Sequence, residues 1–399
     1  MLPTIAELSG DPHPHHARLR GRSAVAWVPE LDAFLVTGWS AAMDVLRDSV
    51  TFTVDDPRFS TAQVVGPSML SLDGDEHARH RDPFAGPFRP RHVSERFSAA
   101  VGAEVARLID ALATGGPTAE LRSDLAGPLA GAVVANSLGL DRSIGPGATA
   151  GDDDHHGPVE IAQLLEWYGA IVASVSVAST GCPVTNAGAV AFRELAAALR
   201  LRLRSDQVEV DSTLVDAVRH GGLTTDEVTS NAAVIMFGGI ETTEAMLLNA
   251  LWFLLRSPEA LAAVRADPSL VDAAVEESLR LEPAATVVDR YATRDVELAG
   301  TEIAAGAQVT VSLAAANRDP AEFADPDRYV LDRPRRRRHL AFAAGPHIFI
   351  GMDLARLEVV TAVTALLARF PALRLSPEAP PPTGLIFRKP PRLPVALTS

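Results

Sequence analysis

The sequence predicts a mainly α protein with a small β-rich lobe, and three stretches carry that prediction. A helical pattern runs without proline from Thr224 to Ser257, and two more, mostly apolar, lie between Val159 and Arg204. The stretch AVAWVPELDAFLVTGW, residues 24–39, alternates apolar and polar side chains and breaks at Pro29 to Leu31, which is the pattern of a hairpin. With 399 residues, 47% of them hydrophobic, the chain can bury one large core or two modest ones. No break in composition points to two, so residues 1–399 are read as one domain.

The chain opens with DPHPHHARLRG, which holds His13, His15 and His16 close together. Two readings stand, a metal site and a polar helix start, and the helix start is the simpler. After the hairpin, SAAMDVLRD is a short helix. In LSLDGDEHARHRDPF, His77 and Arg81 are four residues apart, so both project from one helical face and can clamp a carboxylate. Residues 142–158, rich in Gly, Asp and Pro, read as an exposed loop, in which Asp152 to His156 are solvated charge rather than a metal site.

The patterns between Val159 and Arg204 flank STGCPVTNAG and are rich in Ala, Val, Ser and Leu, a lining suited to a bulky, largely apolar small molecule. Thr224 to Glu227 form a capping box that opens the long helix, about 45 Å at 1.5 Å per residue. Its middle reads MFGGIETTEA. Paired glycines inside a helix cost roughly 1 kcal/mol each, so Gly238 and Gly239 require either close packing or a groove where a ligand nears the backbone. Glu241 and Thr242 stand beside them as an acid and an alcohol. Glu277 and Arg280, three apart in VEESLRLEP, can form a salt bridge. Finally HLAFAAGPHIFIGMDLARLE, from His339 to Glu358, joins a loop of small residues to a helix, a seat that lets backbone approach a flat ligand.

This last stretch, with Phe342, Gly345, His347, Phe349 and Gly351 ahead of Leu354, Ala355, Arg356 and Glu358, resembles the haem-binding loop of the bacterial cytochromes P450. So do the DPxPxxxxLR opening, the HxxxR pair, the GGxET motif, the ExxR helix and the text from Arg290 through YVLDR, in the same order over essentially the whole chain. The resemblance implies a triangular helical prism with a β lobe drawn from about residues 20–65 and 285–315. It implies that His13, His15 and His16 are on the surface, that His77, Arg81, Arg290 and His347 hold haem propionates, and that Glu241 and Thr242 deliver protons to iron-bound dioxygen. Glu277 and Arg280 are then a buried folding pair tied to Arg328 or Arg333.

Two positions depart from the pattern. Ala343 replaces a usual glycine, a mild change, and Phe349 stands where the family has the cysteine whose thiolate ligates iron. A phenyl ring has no lone pair to donate, and sulfur donation assists O–O cleavage. Haem is therefore expected, if held, without a protein thiolate. Three functions stay open: a secondary-metabolism enzyme running a redox-neutral cyclisation, isomerisation or elimination; a haem monooxygenase with its cysteine lost or substituted; and a non-catalytic partner of a biosynthetic enzyme. A redox partner is needed only by the oxygenase.

Cys182, the only cysteine, excludes an intrachain disulfide and any cysteine-rich metal site, and its place in the connector at 179–188 keeps it from replacing the missing ligand. The net charge of -14 argues against nucleic-acid binding. Residues 1–25 contain no signal-type apolar core, and no run approaches 18 uninterrupted apolar residues, so the expectation is a cytoplasmic protein that does not insert into membrane.

Overall fold

The computed structural model describes residues 2–139, 161–178, 182–204 and 222–398. The loop read at 142–158, with Asp152 to His156, and residues 179–181 of the connector lie outside the described residues. The fold is mainly helical, with small sheets beside the helices.

The central helix, Thr225–Arg256, begins as its sequence directs: the Glu227 carboxylate accepts the Thr224 N–H at 2.7 Å, and Thr224 Oγ1 accepts the Glu227 N–H at 3.3 Å. At 32 residues it spans about 48 Å. It is apolar on nearly every side because helices surround it. Gly127–Ser137, Val271–Leu281 and Met352–Arg369 pack on it, and Val228, Ala232, Leu247, Leu248 and Leu251 are buried in the main core. The two patterns before it are helices Ile161–Ala178 and Asn186–Arg204, packed on each other. By length and composition alone, Ile161–Ala178 and the central helix could each cross a membrane; the central helix is instead mostly inside the protein.

The expected hairpin forms. Strand β1 (Val25–Val28) pairs antiparallel with β2 (Ala33–Val36), Val25 opposite Val36, and Asp32 at φ 48° supplies the left-handed step that turns the chain. With β3 (Phe52–Thr53), β5 (Val287–Ala292) and β8 (Gln308–Ser312) they make a five-stranded sheet in the order β1-β2-β8-β5-β3, β2 and β8 being parallel. β6 (Val296–Leu298) and β7 (Thr301–Ile303) form a separate ribbon. A further sheet, β4 (Thr118–Glu120), β10 (Pro394–Ala396) and β9 (Arg374–Leu375), was not foreseen, since strands of two or three residues are too short to show alternation.

The opening histidines correct one expectation. They start the helix His13–Arg20, but His16 is buried and His13 Nε2 lies 3.0 Å from Glu282. The helix packs inward there, so His13 and His16 are not surface positions. Burial first, then the neighbouring His13 and Arg20, hold the His16 imidazole down at about 3, so it stays neutral. Among the described residues no group of histidines, cysteines and carboxylates is arranged to hold a metal.

Glu277 and Arg280 are fully buried and joined by two hydrogen bonds, of 2.8 and 2.9 Å. Between the two expected partners the structure chooses Arg333, whose Nε lies 2.9 and 3.0 Å from the two oxygens of Glu277. Arg328 contributes only its backbone carbonyl, to both guanidiniums. Glu277→Gln leaves two guanidiniums buried without their shared carboxylate and is expected to lower the unfolding free energy by roughly 3–5 kcal/mol. Arg328→Ala, removing a largely exposed side chain, should change it by no more than about 0.5 kcal/mol. Denaturant titrations of the two variants make the comparison.

Candidate functional site

The site is assembled where the loop His339–Gly351 meets the sheet, the helix Gly74–Ala85 and the middle of the central helix. The loop is a tight reversal: the Phe349 N–H donates to the Phe342 carbonyl at 3.0 Å and the Ala343 N–H to Leu340 at 2.9 Å. Gly345 sits at φ 72°, and a β-carbon there would run into the Leu46 carbonyl, so only glycine fits. Ala343 lies at φ 58°. Its substitution is therefore less mild than the sequence suggests, because a β-carbon in the left-handed region costs about 1–2 kcal/mol.

His77, Arg81, Arg290 and His347 come together around this loop. The rings of His77 and His347 meet edge to face with centroids 4.2 Å apart. Arg81 donates to the carbonyl of Ile348 at 2.6 Å, tying its helix to the loop. Arg290, buried on β5, donates to the Asp289 carbonyl at 2.7 Å, and burial lowers its guanidinium to about 10. His77 Nδ1 is paired with the Leu72 carbonyl at 3.2 Å, while its Nε2 is buried with no partner. Such an orphan is what a buried anionic ligand would satisfy.

Sequence reasoning missed the partner of His347. Its Nε2 lies 2.7 Å from Asp73, which precedes the helix Gly74–Ala85 and also accepts from Thr53 Oγ1 at 2.7 Å and the Val54 N–H at 2.8 Å. Burial works to raise the Asp73 carboxyl, but these donors, His347 foremost, overcome it and hold it at about 2. For His347 itself burial is the largest influence and the hydrogen bond to Asp73 opposes it; with the charge of Arg290 added, the imidazole is held down at about 4.

On the central helix, Thr242 donates to the Gly238 carbonyl one turn back. Glu241 is not free: Lys389 Nζ lies 2.6 Å from its Oε1, and Tyr168 donates to its Oε2 at 3.1 Å. Lys389 also lies 2.8 Å from Glu244, whose same oxygen accepts from Arg122 Nε at 2.6 Å. Burial first, and the charge of Glu241 second, keep the Tyr168 phenol well above its usual range, so it holds its proton. Neither Tyr168 nor Lys389 was foreseen. Lys389 had a signal, being the only lysine in a chain whose Lys and Arg total 36. Tyr168 had none, because contact across 73 residues is a product of the fold.

The glycine pair packs closely. A β-carbon on Gly239 would lie 2.5 Å from Val134 Cγ2, and one on Gly238 would lie 2.8 Å from Cε2 of Phe349. The Phe349 ring thus reaches from the loop to the backbone of the central helix. It also lies against Gly351, where a β-carbon would be 3.1 Å from its Cζ, and stacks on Phe342 at 6.0 Å between centroids and 10° between planes. The orphaned His77 nitrogen and the guanidiniums of Arg81 and Arg290 suit the propionates of the haem that the resemblance implies, whereas His347 is already paired with Asp73. The macrocycle does not fit with the ring as it stands, because the partly buried Phe349 ring projects across the slot from the loop to Gly238. Cys182 is exposed.

The chain as a whole is similar to several known proteins. The family model for Cytochrome P450 matches residues 199–394. Nocardicin C N-oxygenase of Nocardia uniformis subsp. tsuyamanensis is 34% identical over 411 residues, 97% of each chain. Cytochrome P450 monooxygenase PikC of Streptomyces venezuelae is 34% identical over 381 residues, covering 92% of this chain and 86% of that one. The crystal structure of P450BioI in complex with hexadec-9Z-enoic acid ligated acyl carrier protein superposes with a TM-score of 0.84 at 27% identity, over 99% of this chain and 100% of that one.

Two measurements check the loop. The folded chain keeps His347 neutral down to about 4, whereas the unfolded chain protonates it near the ordinary 6.5. The stability this difference contributes is therefore present above pH 6.5 and lost as pH falls through 4. Denaturation midpoints over that window should fall more steeply in the wild type than in His347→Asn, by up to about 1.4 kcal/mol per pH unit. Ala343→Gly should raise the melting temperature, by the equivalent of about 1 kcal/mol of relieved strain.

Proposed function

Starting from the fact that the chain belongs to the cytochrome P450 family, a family of haem proteins, we propose that it is a cytoplasmic biosynthetic enzyme that no longer carries out thiolate-dependent oxygenation. In this reading it works by redox-neutral proton transfer on a bulky, largely apolar small molecule, unlike the relatives named as oxygenases. Phe349 occupies the position of the axial cysteine. A protein lacking sulfur donation to iron is deprived of the main electronic help to O–O heterolysis. What remains on the central helix is proton chemistry.

The observation that carries this reading is the cluster at Glu241. A carboxylate with an ammonium 2.6 Å from one oxygen and a protonated phenol 3.1 Å from the other is equipped to take a proton from one atom of a substrate and have another returned nearby. Glu241 is the base in this scheme, Tyr168 and Lys389 the donors, and Glu244 with Arg122 orient the lysine. That sequence of transfers is an isomerisation when the proton returns to a different atom, and an elimination or ring closure when a leaving group or internal nucleophile intervenes. No electrons are exchanged. The helices Ile161–Ala178 and Asn186–Arg204, rich in aliphatic side chains, support an apolar substrate.

The test is turnover of a panel of bulky, largely apolar biosynthetic intermediates, run anaerobically without reductant. Turnover that persists there and falls by about 10²-fold or more in Glu241→Gln supports the proposal, with Lys389→Met lowering it as well. A strict need for oxygen and an electron donor would replace it with an oxygenase using an unusual iron ligand. No turnover, with tight binding to another pathway enzyme, would favour the partner-protein role. In either haem-bearing case the reduced carbon-monoxide complex should lack the long-wavelength Soret band that thiolate ligation produces.

A further inference from the structure

We infer that Phe349 is a plug: its ring occupies the slot that a haem macrocycle would need, so binding of haem by this chain requires the ring to leave. The inference rests on family membership and not on the proton-transfer reading, and it holds whichever way that reading is decided. The resemblance puts the protein ligand to iron at residue 349 and the proton-delivering pair at Glu241 and Thr242, so a macrocycle would have to lie between them. Here nothing separates the two. Cε2 of Phe349 would be 2.8 Å from a β-carbon on Gly238, so the ring is in contact with helix backbone and is accommodated only because that residue is glycine.

The ring is also held. It stacks nearly parallel on Phe342, centroids 6.0 Å apart, and packs against Gly351 at the start of the following helix. Arg356 lies over the other member of the stack, its guanidinium carbon 4.6 Å from the Phe342 centroid, and is itself fixed by Glu276 at 2.6 Å. The partly buried ring is stabilised by its contacts with Phe342, Gly238 and Gly351, which a planar cofactor entering here would have to displace. Losing the cysteine and acquiring phenylalanine are thus two changes. One removes a ligand; the other installs a competitor.

The two consequences separate experimentally. If ligand loss were the whole effect, Phe349→Ala, which also offers no ligand, would bind haem no better than the wild type. The plug predicts that Phe349→Ala binds hemin at least tenfold more tightly, read as the Soret increase on titrating the full chain, and that Phe349→Leu falls between them. Equal or weaker binding by Phe349→Ala overturns the inference. A readout without haem comes from Gly238→Ala. It should lower the melting temperature in the wild-type background, where the new methyl meets the ring, and lower it less or raise it in the Phe349→Ala background. The same loss in both backgrounds would mean that the ring is not against the helix.

Discussion

Everything at the site hangs on the buried ion triad of Glu277, Arg280 and Arg333. One carboxylate serves two guanidiniums, and Arg280 spends its remaining donors on the carbonyls of Asn317, Pro326 and Arg328. That gathers the irregular stretch after β8 onto the helix Val271–Leu281, and the loop at 339–351 continues from it. The preceding residue on that helix repeats the device: Glu276 takes His339 at 2.9 Å, where the loop begins, and Arg356 at 2.6 Å, on the helix that follows it. Burial opposes ionisation of Glu276, but His339 and Arg356 outweigh it and hold the carboxyl at about 2. Buried charges of this kind are costly to break and specific in what they join. Two adjacent glutamates thereby fix the approach to the loop and its two ends, with a single 3-10 turn, Gly345–His347, in between.

What the sequence made legible was periodic or local. The capping box at Thr224, the proline-free run behind it and the hairpin at 24–39 are read from residues close in sequence, and all form as expected. The family resemblance implied that His77, Arg81, Arg290 and His347 meet at one cofactor, and the structure gathers them around one loop. What stayed hidden depends on side chains meeting across the fold. Asp73 drew no notice in the sequence and accepts from His347, 274 positions away. Glu241 looked like a free acid and is paired with Lys389 and Tyr168. His16 looked polar and is buried, because polarity alone does not report which face of a short helix packs inward.

The glycine pair shows how one motif can answer to two demands. Gly239 yields to Val134 on a neighbouring helix, a packing role that any helical bundle could impose. Gly238 yields to an aromatic ring from the loop, at the place where the family admits its cofactor. The same absence of a side chain therefore suits both a ligand and the residue that takes the ligand's place. Without such a gap, phenylalanine at 349 would have pushed the loop away from the helix and loosened the donors around it.

The lone lysine has a consequence of its own. Apart from the α-amino group, this chain carries one primary amine, and that amine is buried between two carboxylates. All other cationic side chains, histidines aside, are guanidiniums, which do not acylate or condense with aldehydes under mild conditions. The folded surface is accordingly almost inert to amine-directed chemistry, while the one side-chain nucleophile of that type is buried against Glu241 and Glu244. A reagent selective for amines becomes a gauge of opening there, adding a second label per molecule only when the helices around Lys389 part.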